Sequence, residues 1–150
     1  MRPDHLIFAA FLFLSAFNAG TMLTLQLQQH YSLYPLVGRD GFADYLQANN
    51  RAALLPAVLP GMLLLASSLV LTLYRLSFVT ASDAIIALSF NLISLFSTFR
   101  WQRPIQSEMA LSGYDEGKIH LLIATNWVRT LALIIQAAFA SCIGFRQLIA

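Results

Sequence analysis

Residues 119–145 read IHLLIATNWVRTLALIIQAAFASCIGF, an apolar run broken by one formal charge, Arg129. A bilayer core about 30 Å thick is crossed by roughly 20 helical residues at ~1.5 Å each, so this stretch is long enough to span. Its apolar residues are continuous rather than alternating, which points to a helix and away from a barrel strand. Residues 6–27, 52–74 and 81–99 have the same character, with Asp83 as the one acid among them. The expected fold is all-α: an integral membrane four-helix bundle, a single domain over residues 1–150, with both ends on one side. Segments 28–51 and 100–118 then fall on the other side as two longer loops carrying short interfacial helices.

Composition agrees. The chain is 58% hydrophobic and 11% charged, against about 45–50% and about 25% in soluble domains. Seven acids and nine bases leave too little polar surface for water to be the main solvent. The net charge of +2 and the lack of like-charge runs argue against a nucleic-acid partner. A single cysteine, Cys142, excludes an intramolecular disulfide and reads as a packing thiol in an apolar stretch. The first apolar run follows Arg2 as in a signal peptide, but it continues through Met22–Leu25 and reads as a span instead.

In the first long segment, Gly38–Gly41 reads as a turn and Phe42–Leu46 as a short helix with its aromatics at headgroup depth. Trp101 and Tyr114 belong to the same belt. Gly113 ends a short helix begun near Pro104, Asp115 caps the fourth span, and Pro60 kinks the second. Arg2, Arg75 and Arg146 lie on the short side, and Arg39, Arg51, Arg100, Arg103 and Lys118 on the long side. The raw count favours a cytoplasmic long side. Charge density favours cytoplasmic termini, which is the reading adopted.

Arg129 lies about ten residues into its span, where an unpaired charge costs at least ~2.5–3.5 kcal/mol. Its helix face must therefore look inward. Asn126, Thr130 and Gln136 fall on the same stripe. The functional reading is a site for an anion or polar headgroup, or a stabiliser of developing charge. The structural reading is a hydrogen-bonded clamp between helices. Asp83 is an unsuitable partner: Thr80 to Asp83 forms a capping box, and it enters from the opposite face. In the third helix Ala84, Ala87, Asn91, Ser94 and Thr98 form a seam of small and polar residues, with Asn91 the member most able to reach Arg129. Ser15, Asn18 and Thr21 make a similar packing face in the first helix. His30 and His120 lie at similar depth on the loop side, where paired imidazoles can hold a metal or haem. No ligand spacing accompanies them, so no metal or cofactor is expected.

Three stretches carry a family likeness. They are His30-Tyr31 with Gly38 and Gly41-Phe42-x-x-Tyr45, then Gln102-x-Pro104, then Gly113-Tyr114-Asp115 leading to Thr125-Asn126-Trp127-x-Arg129-Thr130. On these the chain resembles a group of small bacterial four-helix membrane proteins with an Asn-Trp-x-Arg-Thr element in the last helix. More distantly it resembles the anthrone-oxygenase-like proteins, which also close with an arginine in their last helix. The resemblance implies a bacterial inner membrane location and an important Arg129. It also marks His30, Tyr31, Gln102 and Trp127 as loop-side candidates, and His120 joins them by its depth beside His30. The chain departs from the group at Leu46, Asn49 and Gln106, where the group carries histidines, and near Leu65, where it carries an acid. A metal or proton-transfer site built on those positions would be largely missing here.

Three functions follow. The first, and preferred, is an accessory subunit or hydrophobic-ligand-binding protein that meets a membrane-protein partner, another copy of itself or a lipophilic small molecule. The second is an enzyme acting on an anthrone- or quinone-type substrate, with Arg129 stabilising negative charge and a histidine moving protons. The third is a small carrier or channel, which would need to oligomerise.

Overall fold

A computed structural model describes residues 3–74 and 76–149, the side chains of residues 29–32 excepted; these form helices and no strand. Arg2 and Arg75, counted above for orientation, lie outside the described residues. Four helices are long and apolar enough to cross a membrane: Pro3–Gln28, Leu54–Tyr74, Ala81–Ser112 and Glu116–Ile149. Their α-helical parts are α1 (Pro3–Thr24), α4 (Leu59–Tyr74), α5 (Ala81–Ser97) with α6 (Arg103–Ser112), and α7 (Glu116–Ile149). Two further helices, α2 (Tyr34–Val37) and α3 (Phe42–Ala52), lie between the first two.

Packing follows from where small and polar residues recur. In α1, Phe8, Phe11, Ser15, Asn18, Ala19 and Met22 repeat at three- and four-residue steps and are buried. The other faces expose large apolar side chains such as Phe13, Met62, Leu73 and Ile135. That pattern suits lipid as the solvent, since an apolar outer face carries no penalty there. The helix α7 packs on α1 and α5, and α4 completes the ring between them.

At the end near the termini, Thr80 and Asp83 form the capping box of α5. Asp83 also accepts a hydrogen bond from Arg146 at 2.8 Å, which fixes the start of α5 to the end of α7. At the opposite end the carboxylate of Asp115 caps α7 by accepting from the Lys118 backbone N–H at 3.0 Å, a bond that holds its carboxyl below the usual carboxylate range. Lys118 in turn pairs with Glu108 at 2.6 Å.

Several local expectations change. The helix beginning at Ala81 does not stop at residue 99: it continues through a π-helical stretch, Thr98–Gln102, into α6. Of the supposed second loop only residues 113–115 are non-helical, and Gly113 breaks the helix with φ +84°. Phe42 does not face outward. It is fully buried and meets Tyr34 and Tyr114 edge-on at 5.5 and 5.4 Å. Cys142 is exposed on the outer face of α7 rather than packed.

Two more π-helical stretches, Leu25–Leu33 and Leu54–Val58, occur where α1 ends and α4 approaches its start. In the second, Val58 N–H bonds Ala53 C=O at 3.2 Å and Leu59 N–H bonds Leu54 C=O, both five residues back. Pro56 and Pro60 supply no N–H of their own, so the ladder here is built around those gaps. All three π-helical stretches lie at the end of the molecule away from the termini.

The apolar interior has two parts. One, toward the termini, includes Phe8, Phe11, Leu64, Leu71, Ala140 and Ile143. The other, under α3 and α6, includes Tyr34, Phe42, Leu46, Ile105, Met109 and Leu122.

Candidate functional site

Along α7 the second apolar part ends at Leu122 and Ile123, and the first begins near Leu133. Between them lies a polar layer. Asn126 and Thr130 are fully buried, and Asn126 Nδ2 donates to Gln26 Oε1 and, at 3.3 Å, to Thr130 Oγ1. Gln26 Nε2 donates to the Ile123 carbonyl at 3.0 Å. From the α5 side, Gln102 Nε2 donates to Thr125 Oγ1 at 2.9 Å, and Ser97 Oγ donates to the Thr125 carbonyl at 3.4 Å. Gln26, Thr98 and Gln102 all come from π-helical stretches.

Arg129 belongs to this layer. It lies roughly 20 Å along α7 from Glu116 and about 30 Å from Ile149. Nη1 donates a long bond of 3.5 Å to Thr98 Oγ1, a hydroxyl that itself donates to the Ser94 carbonyl. Nε is buried without a partner among the described residues, and no carboxylate there pairs with the guanidinium. Gln102 Oε1 and Asn126 Oδ1 are likewise buried and unpartnered among the described residues. Above the layer sits Tyr34. Burial pushes its hydroxyl pKa up, Tyr45 adds to the rise, and the nearby Arg129 charge opposes it.

The layer therefore unites Arg129, Asn126, Thr130 and Gln102 of the expected residues. Asn91 is not among them. It is buried on α5 but donates to Ser68 of α4, and Thr98, two helical turns further along, reaches Arg129 instead. Gln136 is buried two turns below the layer. His120 is exposed, 3.9 Å from Glu116, and lines an outer groove with Trp127, Ile123 and Tyr114. The side chains of His30 and Tyr31 lie outside the described residues. Among the described residues no three His, Cys, Asp or Glu side chains cluster as metal ligands.

No protein family, curated protein or solved structure matches the chain.

Sequence reasoning passed over Gln26, Thr98's contact with Arg129, and Tyr34. For Gln26 a signal existed: it follows Ser15, Asn18 and Met22 at steps of three and four, on the buried face of the first helix. For Tyr34 there was none, because its burial depends on α3 and α6 folding over it.

Proposed function

We propose that this chain is a small polytopic membrane protein that binds a lipophilic molecule by its polar, anionic head at the layer around Arg129. The observation that carries this reading is the incomplete satisfaction of the guanidinium. A buried cation without a counter-charge is costly, and a clamp selected for packing would satisfy its donors. A singly charged head group matches one guanidinium. The free acceptors on Gln102 and Asn126 suit a hydroxyl on the same head.

The likeness to the anthrone-oxygenase-like proteins makes a quinone- or anthrone-type ring the first ligand class to screen. We place the chain in a bacterial inner membrane with cytoplasmic termini, as a four-helix bundle whose α3 and α6 lie at the interface. There it would serve as a ligand-binding or accessory subunit of a larger assembly.

The test is titration of a fluorescent long-chain carboxylate into the protein in lipid nanodiscs. Saturable binding that is lost in Arg129→Leu and partly kept in Arg129→Lys is the expected result. Equal binding by a folded Arg129→Leu protein would remove the basis for the proposal.

A further inference from the structure

The outward flank where α5 runs into α6 carries two cations that no acid neutralises among the described residues. Lys118 pairs with Glu108 and Arg146 with Asp83. Arg100 and Arg103 are exposed, and no such ion pair reaches either. Both stand among aromatic rings. The Arg103 guanidinium lies 5.8 Å from the centre of the Phe99 ring, and Trp101 meets Phe96 edge-on at 5.8 Å. Phe96, Phe99 and Leu92 are themselves exposed. Two adjoining rows, Phe96 with Arg100 and Phe99 with Arg103, thus run from an apolar ring to a guanidinium at helical spacing.

Depth follows from the charges. Near the termini, Asp83 and Arg146 are paired and mark one level. From Asp83 to Arg100 the helix rises roughly 25 Å, and from Arg146 back to Trp127 roughly 28 Å. The contact of Arg129 with Thr98 sets Arg100 and Trp127 at a common second level. Between the two levels the four membrane-crossing helices carry no Asp, Glu, Lys or Arg except Arg129 of the polar layer. A hydrocarbon core of about 30 Å fits there. Both tryptophans of the chain, Trp101 and Trp127, then fall at its edge away from the termini, where indole rings collect. Arg100 and Arg103 stand in the headgroup layer at that edge, with Phe96, Phe99 and Leu92 on the acyl-chain side of them.

We propose that Arg100 and Arg103 bind the phosphate of an anionic phospholipid whose chain lies along Phe96, Phe99 and Leu92. A guanidinium offers phosphate two parallel N–H donors, so charge and geometry both match. A zwitterionic lipid brings its own cation beside the phosphate and leaves the two positive charges unneutralised, whereas an anionic one neutralises them. An acidic protein segment would answer the charge too, but the apolar half of the flank lies at the depth of acyl chains. The site is on the outer surface and does not depend on the reading of Arg129.

The experiment reads the fluorescence of Trp101 alone, in Trp127→Phe protein in phosphatidylcholine nanodiscs with a minor fraction of brominated lipid. The bromines sit near the carbonyl end of one chain, on either phosphatidylglycerol or phosphatidylcholine. Quenching by the phosphatidylglycerol should exceed that by the phosphatidylcholine. Its apparent affinity should weaken about fivefold for each arginine removed in Arg100→Gln and Arg103→Gln. Should the double variant not reconstitute, each single variant is read in its place. Arg51→Gln, at the end of α3, should leave the preference intact. Equal quenching by the two lipids overturns the proposal. So does a preference that survives in the arginine variants, or one lost equally in Arg51→Gln, which would reflect overall charge. Loss of the preference in millimolar inorganic phosphate, but not in chloride of equal ionic strength, would assign the site to the free ion and overturn it as well.

Discussion

Two arginines on the same helix meet opposite circumstances. Arg146, near the end of α7, donates at 2.8 Å to Asp83, a carboxylate already committed to the capping box of α5. Arg129, in the helix interior, has a threonine hydroxyl at 3.5 Å and a buried Nε without a partner among the described residues. The first is a staple between two helix ends, with its side chain 60% exposed so that water shares the work. The second carries its charge where water is scarce and the protein supplies little in return. Under the proposed function, the same residue type is structural in one region and held in reserve for a ligand in the other.

Breaking the reserve should have the largest effect. Arg129→Leu is expected to weaken binding of an anionic amphiphile about 100-fold, the loss of a charge-assisted contact of ~3 kcal/mol. Its melting temperature should hold or rise, because a desolvated charge is replaced by packing. Titration and thermal unfolding on the same sample read both. A fall in stability equal to that of a staple mutant would make Arg129 a clamp after all.

Breaking the staple comes next. Asp83→Ala removes one arm of the capping box and the partner of Arg146, and should cost about 1–2 kcal/mol. Graded denaturant unfolding in mixed micelles measures it, with amphiphile binding unchanged. Converting the reserve into a staple sharpens the contrast. Thr98→Asp places a carboxylate beside Arg129 and should weaken the amphiphile roughly tenfold (~1.4 kcal/mol) by supplying the counter-charge internally. Arg146→Ala should have the smallest effect, at most ~1 kcal/mol, because its guanidinium is largely in solvent.

The sequence and the structure agree where one helix suffices to set the outcome. Lipid-length apolar runs, the Thr80–Asp83 cap and the Asn126–Arg129–Thr130 stripe are local patterns with a period of 3.6, and each is legible from neighbouring residues. What escaped depends on distant partners. Gln26 and Asn126 are a hundred positions apart. Asn91 was aimed at Arg129 because both were polar and inward, yet the register of α5 against α7 carries it past. Phe42 looked like an outward-facing aromatic because nothing nearby announced that Tyr34 and Tyr114 would enclose it. The π-helical stretches had no sequence signal beyond Pro56 and Pro60, which mark one of the three.

Those stretches have a consequence for how the protein tolerates change in length. A π turn behaves as an ordinary turn holding one surplus residue, so excising that residue would restore the usual ladder and leave everything beyond it at nearly the same angle. Losing one position within 98–102 would therefore keep Ile105 and Met109 facing the apolar part that holds Tyr34 and Phe42. The same loss from the regular part of α5 would swing both side chains round by about 100°. The spare residues thus act as slack, confining a change of length to the turn in which it occurs.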